Sequence, residues 1–300
     1  MKKIKCLICN QNTDKIISNY VYGGRKNQKY FECNNCKIAI LNPTLSKEEE
    51  KKFYQKEFEV FMNKRVGKNL NIWKNEKKII NKNQENIKRR NNFLKKYLKK
   101  NQSILEIGCS SGFMLDILKK NKRDLYGIEP SNLFKKLLKK KGYFIFDSLN
   151  EASEKNYNFD LIIHFFVFEH IVDPKKFIKD QISLIKDKGK IIFEIPCYLD
   201  PLTSIYKNLP FEKFYWSVAH PYYYTPMSIA KLIKCIDKKI KFKIFKDQRY
   251  DLSNHLNWLL KGLPGGQGMY DFISKKTIES YKKDLIKNNY FDTMFVVISK

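Results

Sequence analysis

Three hundred residues at 43% hydrophobic composition suffice for one large domain or two modest ones with an ordinary core, which excludes global disorder. The longest strongly apolar run, around Leu161–Phe168, is far short of the ~20 residues that cross a bilayer. The net charge of +28 would ordinarily point to nucleic acid, but only six of the 59 basic residues are Arg, whose planar fork is what phosphates and base edges favour; a solvated Lys-rich surface ranks first, anionic small substrates second and nucleic acid last.

Taken in chain order, Met1-Lys-Lys-Ile-Lys leads into Cys6 and not into an apolar signal core, so a cytoplasmic protein is the expectation. Residues 1–45 read as a small domain of short β segments, with a bend at Gly23-Gly24 and an exit at Asn42-Pro43. Within it, Cys6-Leu-Ile-Cys9 and Cys33-Asn-Asn-Cys36 are two CxxC turns separated by 23 residues. Each turn points two thiolates at one ion, and two turns complete a tetrahedral shell. The competing readings are four buried thiols or a redox pair, but one redox pair needs no matching second. With all four positions filled by Cys there is no place for water, so the expectation is a zinc ribbon with one structural zinc per chain. Cys109, Cys197 and Cys235 stand alone, and the odd count speaks for reduced thiols.

Residues 46–100 are densely charged and helical in composition, a linker or lid segment. It opens on a capping box at Ser46-Lys-Glu-Glu and carries Ile72, Ile79, Ile80, Ile87, Phe93, Leu94 and Leu98 at roughly helical spacing. From Ser103 the rhythm changes. Strands are predicted at Ile104–Ile107, Leu125–Ile128, Tyr143–Phe146, Leu161–Phe166 and Lys190–Ile195, with helices at Phe113–Lys120, Leu133–Lys140 and Lys175–Lys186. That alternation calls for an α/β, doubly wound, Rossmann-like sheet with right-handed crossovers. After Pro196 the chain becomes aromatic and less regular, with a helix prepared by Thr225 as N-cap and Pro226 at its first position and further strands at Ile240–Phe245 and Thr293–Ile298.

The central motif is Ile104-Leu-Glu-Ile-Gly-Cys-Ser-Ser-Gly112, a strand, a loop and the start of a helix. Gly108 permits a tight turn and Gly112 a close approach, and the crevice at such a first βα turn is where open α/β sheets bind nucleotides. Ser110 stands where dinucleotide fingerprints carry glycine. Glu106 ends the strand, Glu129 ends the next one 23 residues later, where a carboxylate can accept ribose hydroxyls, and Asp147 ends the third. Each acid alone could be a strand-end cap; in register they form a cofactor site.

ILEIGCSSG resembles the first motif of class I S-adenosylmethionine-dependent methyltransferases, and FDLIIHFFVFEHIVDP (159–174) resembles their fourth strand and the turn after it. The paired CxxC turns followed by ILNPTLSKEE, together with WSVAHPYYYTPMSIAKLI (216–233) and FDTMFVVISK (291–300), are similar to the branch that carries an N-terminal zinc domain and methylates nucleotide-linked deoxysugars and other polysaccharide precursors. The resemblance implies a seven-stranded sheet with an antiparallel last strand, and a methyltransferase part over residues 101–300 with an aromatic substrate-binding end. It implies that Glu106 steadies the loop and approaches the methionine ammonium, that Gly108 and Gly112 lie against S-adenosylmethionine, that Glu129 holds the ribose and Asp147 the adenine amino group, and that His164 or Phe165 lies beneath the methionine portion.

Methyl transfer from a sulfonium needs alignment above all, and a base if the acceptor is a hydroxyl or an enolisable carbon. His170, just past the fourth strand, and His220, in the aromatic run Tyr215–Tyr224, are the candidates; His220 is preferred, and each could instead be a packing residue. Gly262–Gly268 reads better as a lid than as a phosphate cradle or an inert loop. The leading expectation is transfer to a small acceptor, a sugar or nucleotide-linked sugar of surface polysaccharide. The alternatives are an RNA methyltransferase docking through its basic surface and ribbon, and a non-catalytic partner-binding protein on the same fold. The sequence is silent on the oligomeric state.

Overall fold

A computed structural model of the chain describes residues 4–53, 57, 60–61, 76–119 and 123–300. Ile72 of the expected helical pattern lies outside the described residues. The strands are β1 (Ile4–Lys5), β2 (Asn12–Thr13), β3 (Ile16–Ser18), β4 (Lys29–Glu32), β5 (Ala39–Asn42), β6 (Ser103–Ile107), β7 (Asp124–Ile128), β8 (Phe144–Phe146), β9 (Phe159–Phe165), β10 (Ile185–Pro196), β11 (Tyr222–Tyr223), β12 (Lys241–Asp247) and β13 (Thr293–Ser299). A seven-stranded sheet has the order β12-β13-β10-β9-β6-β7-β8. β6 pairs in parallel with β7 on one side and β9 on the other, so the connections leaving β6 and β8 run to opposite sides. That places the sheet's switch point at the end of β6, where the glycine motif begins.

The runs that read as strands do so because both faces of the sheet are covered. β6 is buried at four of five positions and β9 at six of seven, which favours continuous apolar sequence over alternation. The last strand is antiparallel to β10. Cys197 donates its N–H to Asp292 O beyond one end and Lys300 donates to Gly189 O near the other, so numbering rises along one strand as it falls along its partner.

The chain divides into two compact units. The first comprises Met1–Leu45, Phe168–Lys175 and Glu194–Val296; the second comprises Ser46–Val167, Lys176–Phe193 and Val297–Lys300. In the first unit, β11 adds to β5 in the sheet β11-β5-β4-β3, with Tyr222 opposite Ile40 and Tyr223 opposite Ala39. The stretch after Pro196 is more regular than its composition predicts. Helices occupy Pro201–Ser204, Leu209–Tyr215, Pro226–Ile236, Leu252–Lys261 and Lys275–Lys287. Asp200, Asn208, Thr225, Asp251 and Ser274 cap them by accepting backbone N–H groups. The expected capping box at Ser46 is formed with Glu49. β10 starts five residues before the predicted Lys190, directly after the helix Pro174–Leu184.

Candidate functional site

The glycine loop is built where only glycine fits. Gly108 has φ +70°, and a Cβ there would stand 2.6 Å from Val167 Cγ2. Gly112 has φ +81°, and its Cβ would stand 2.6 Å from Leu138 Cδ2, just as the helix Phe113–Leu118 begins. Between them Ser110 also takes a left-handed conformation, φ 51°, and its N–H donates to Glu129 Oε2 at 2.7 Å. The Gly108 N–H donates to Ile128 O at 2.7 Å, so loop and β7 are held together by backbone as well as by the acid.

Three acids lie at or just beyond the carboxyl ends of β6, β7 and β8, as expected. Glu106 is 3% exposed and accepts a bond from the Leu115 N–H. Its Oε2 has no hydrogen-bond partner among the described residues. Burial pushes its carboxyl up to about 8, with the Arg90 guanidinium opposing and the Glu129 charge adding to the rise. Glu129 is buried and takes N–H groups from Ser110 and, at 2.8 Å, Ser131; burial raises its pKa against those bonds. Asp147 is exposed and ion-paired with Lys135, which lowers its pKa.

Of the two residues expected beneath the methionine portion, His164 has no exposed surface. Its ring stacks on Phe193 at 4.9 Å and 7°, with Phe177 edge-on at 5.4 Å. Burial pushes its pKa down to about 3, so this is a neutral core imidazole. Phe165 lies under the Arg90 guanidinium, 4.5 Å from the ring centroid.

The two candidate bases come together. The His170 and His220 rings are 4.5 Å apart and perpendicular at 85°. His170 Nδ1 lies 2.9 Å from Ala219 O; a carbonyl only accepts, so Nδ1 carries the hydrogen. His220 Nδ1 lies 2.8 Å from the Tyr223 hydroxyl, whose own hydrogen goes to Tyr215 O, so His220 also donates from Nδ1. In the neutral state both rings therefore present a lone pair at Nε2. Glu169 is buried beside them, and one ligand atom from each of Glu169, His170 and His220 lies within 4.8 Å of the others.

The four cysteines also converge, their sulfurs within 4.8 Å of one another. The two turns are copies: Asn10 N–H bonds Cys6 O at 2.9 Å and Lys37 N–H bonds Cys33 O at 2.7 Å, and Asn10 and Lys37 are both left-handed, at φ 58° and 54°. Burial pushes Cys6 up to about 11, and burial with the adjacent Cys9 thiol raises Cys36. A cation at the centre would relieve that crowding, and the arrangement is compatible with a zinc ion.

The segment is fastened to the aromatic run. The Tyr30 hydroxyl reaches Ser217 O at 2.6 Å and His220 O at 2.5 Å, and Thr225 Oγ1 donates to Lys37 O at 3.1 Å. The Gly262–Gly268 loop is tied to the preceding helix, with Asn254 Nδ2 on Gly265 O and Asn257 Nδ2 on Leu263 O, each at 2.6 Å. Sequence reasoning passed over Arg90, hidden in a lysine-rich helical stretch. It also missed Gly127, where a Cβ would meet Cys109 Sγ at 2.7 Å. For Gly127, a glycine inside a predicted strand was the available signal.

Comparison with known proteins follows the same lines. The plantazolicin methyltransferase BamL, solved with a triazolic desmethylPZN analog and SAH, is 15% identical with a TM-score of 0.51, covering 84% of this chain and 94% of that one. The plantazolicin methyltransferase BpumL, solved with a monoazolic analog and SAH, is 14% identical with a TM-score of 0.50, covering 84% and 95%. A SAM dependent methyltransferase from Archaeoglobus fulgidus is 17% identical with a TM-score of 0.49, covering 81% and 100%. The two plantazolicin methyltransferase likenesses show the fold. No curated protein matches. A family model described as a methyltransferase domain matches residues 79–236, just over half the chain and including the glycine motif, the acids, His170 and His220. The chain belongs to that methyltransferase family and is an S-adenosylmethionine-dependent methyltransferase.

Proposed function

We propose that this methyltransferase acts on a small hydroxyl-bearing acceptor, a sugar or nucleotide-linked sugar of surface polysaccharide, and that it works in the cytoplasm. The observation that carries the reading is the His170–His220 pair, two imidazoles with lone pairs at Nε2 beside a buried carboxylate. No helix among the described residues is long and apolar enough to cross a membrane.

The residues of the β6–β7 loop fit S-adenosylmethionine. A buried carboxyl with an unbonded oxygen at Glu106 suits the methionine ammonium. Glu129 already holds the loop through both oxygens, and each oxygen keeps a second lone pair for a ribose hydroxyl. Gly108 and Gly112 leave the backbone bare, Phe165 lies beneath the methionine portion, and Asp147 is the acceptor for the adenine amino group. The cofactor supplies an electrophilic methyl on sulfur. The protein aligns it, and Nε2 of His220, then of His170, supports removal of the acceptor proton. Cys6, Cys9, Cys33 and Cys36 would hold one structural zinc. Residues 1–45 form the metal-bearing part, 46–100 the helical linker and 101–300 the methyltransferase part.

The test is to incubate the protein with radiolabelled S-adenosylmethionine and a panel of nucleotide-linked sugars, with oligoribonucleotides in parallel. Label appearing in a sugar supports the reading. Label in RNA alone would replace it with the RNA alternative that the charge of +28 keeps in view.

A further inference from the structure

We propose that Glu169, His170 and His220 together bind one divalent first-row transition cation, which holds and acidifies a hydroxyl of the acceptor. The inference rests on the methyltransferase reading and replaces direct proton transfer to the two Nε2 atoms with ligation of the ion through them. The three side chains bring a carboxylate oxygen and two ring nitrogens within 4.8 Å of one another. Around an ion bound at ~2.1 Å, such donors stand about 3–3.4 Å apart, so ligation draws the three side chains closer together.

The orientation of the rings is what a metal site needs. An imidazole that ligates through one nitrogen donates its other N–H to a carbonyl or a similar acceptor, which fixes ring and tautomer. His170 does so to Ala219 O at 2.9 Å, and His220 to the Tyr223 hydroxyl at 2.8 Å. Tyr223 is locked in turn by its bond to Tyr215 O, and the backbone of His220 is held by Tyr30.

The third donor, Glu169, is 1% exposed. Its charge acts on Tyr224, whose buried hydroxyl has no hydrogen-bond partner among the described residues. Two imidazoles and one carboxylate suit a transition cation and leave adjacent positions open for substrate oxygen. This set is chemically distinct from the four-sulfur set, which leaves none.

With the ion in place, the acceptor hydroxyl binds through oxygen and its proton passes to solvent water. A lone pair of that oxygen then forms the new bond to the methyl carbon as the carbon–sulfur bond breaks. The departing pair stays on sulfur, turning sulfonium into thioether. Two open positions favour acceptors with vicinal oxygens, such as a diol.

To test this, protein carrying one zinc in its cysteine site, verified by elemental analysis, is titrated with Mn²⁺ by calorimetry, with electron paramagnetic resonance reading the bound ion. One further Mn²⁺ per chain is expected. Its affinity should fall at least about tenfold in Glu169→Gln and in His220→Ala and stay unchanged in the surface variant Glu279→Gln. Unaltered S-adenosylhomocysteine affinity in all three shows that they fold. No second ion at millimolar Mn²⁺ or Co²⁺, or a second ion that both site variants retain, overturns the proposal. If S-adenosylhomocysteine binds while no second ion does, the cation fails and the methyltransferase reading stands. If S-adenosylhomocysteine does not bind either, the reading beneath it fails as well.

Discussion

Glu106 and Glu129 are both buried acids at strand ends, yet their surroundings give them different work. Glu129 has two backbone N–H partners, whereas one oxygen of Glu106 has none and its pKa is pushed up to about 8. At pH 7 roughly nine in ten Glu106 side chains are then protonated before cofactor arrives. A methionine ammonium brought against it favours the carboxylate, so binding should release close to one proton per site. Calorimetry of S-adenosylhomocysteine binding at pH 7 in buffers of different ionisation enthalpy reads this directly; a buffer-independent heat would contradict it. The stability consequence has a definite sign. A folded pKa above the unfolded 4.5 means that the contribution of this group is fully present below about pH 4.5 and is lost as pH rises through about 8. Glu106→Gln should flatten that slope in urea unfolding of the cofactor-free protein. Glu129→Ala should instead weaken S-adenosylhomocysteine more than tenfold, since bonds to a charged partner are worth about 1.5–3 kcal/mol each; unchanged affinity would mean that the ribose is held elsewhere. His220→Ala should cut turnover by ~10²–10⁴ with cofactor affinity kept, and near-normal turnover on the true acceptor would remove it from the reaction. The positions of the three acids were legible because each stands at or just past the end of an apolar run. Arg90 was not, because a cation in a lysine-rich helix carries no mark of the carboxyl and rings it will face.

At the scale of elements, the β6 turn shows how a glycine motif can be read and still be incompletely understood. The sequence marks Gly108 as a tight turn, but the structure gives two separate reasons for it: φ +70° and a neighbour, Val167, that would sit 2.6 Å from any Cβ. Gly108→Ala should cost about 1–3 kcal/mol in backbone strain alone, with a lowered melting temperature and weaker cofactor binding. Adding Val167→Ala removes the clash and leaves the strain, so the double variant should recover only part of the stability. Full recovery would show that the contact was the whole reason. The strands of the sheet were legible within a few residues because burial on both faces keeps them apolar, and the helix that opens on Thr225 and Pro226 was legible from its cap; the other helices after Pro196 were not. Their aromatic content blurs the apolar period, and what defines them is a series of side-chain caps such as Asp251 on Asn254, one residue each and easily taken for loop.

On the scale of the molecule, the CxxC spacing predicts the four-sulfur cluster, but nothing local predicts what that segment holds. Tyr30 bonds to Ser217, 187 residues away, and β5 pairs with β11 across a similar separation; no periodicity encodes partners at such range. These bonds make the cysteine segment a mount for His220, whose carbonyl Tyr30 holds and whose ring Tyr223 holds. Zinc binding supplies folding energy to a segment of this size. Its removal should therefore loosen residues 4–45 together with the β11 pairing and the orientation of the histidine pair. Glu106, Gly108, Gly112 and Glu129 belong to the other compact unit and should keep their geometry. The untreated protein should carry one zinc per chain, and Cys33→Ser, or dialysis against a chelator, should abolish it, raise hydrogen exchange across residues 4–45 and 216–224, and cut turnover at least about tenfold. S-adenosylhomocysteine affinity should change by less than about threefold. Loss of cofactor binding in step with zinc would instead mean that the two units fold only together. A zinc-free protein with normal turnover would show that the cysteine segment does not hold the acceptor residues in place.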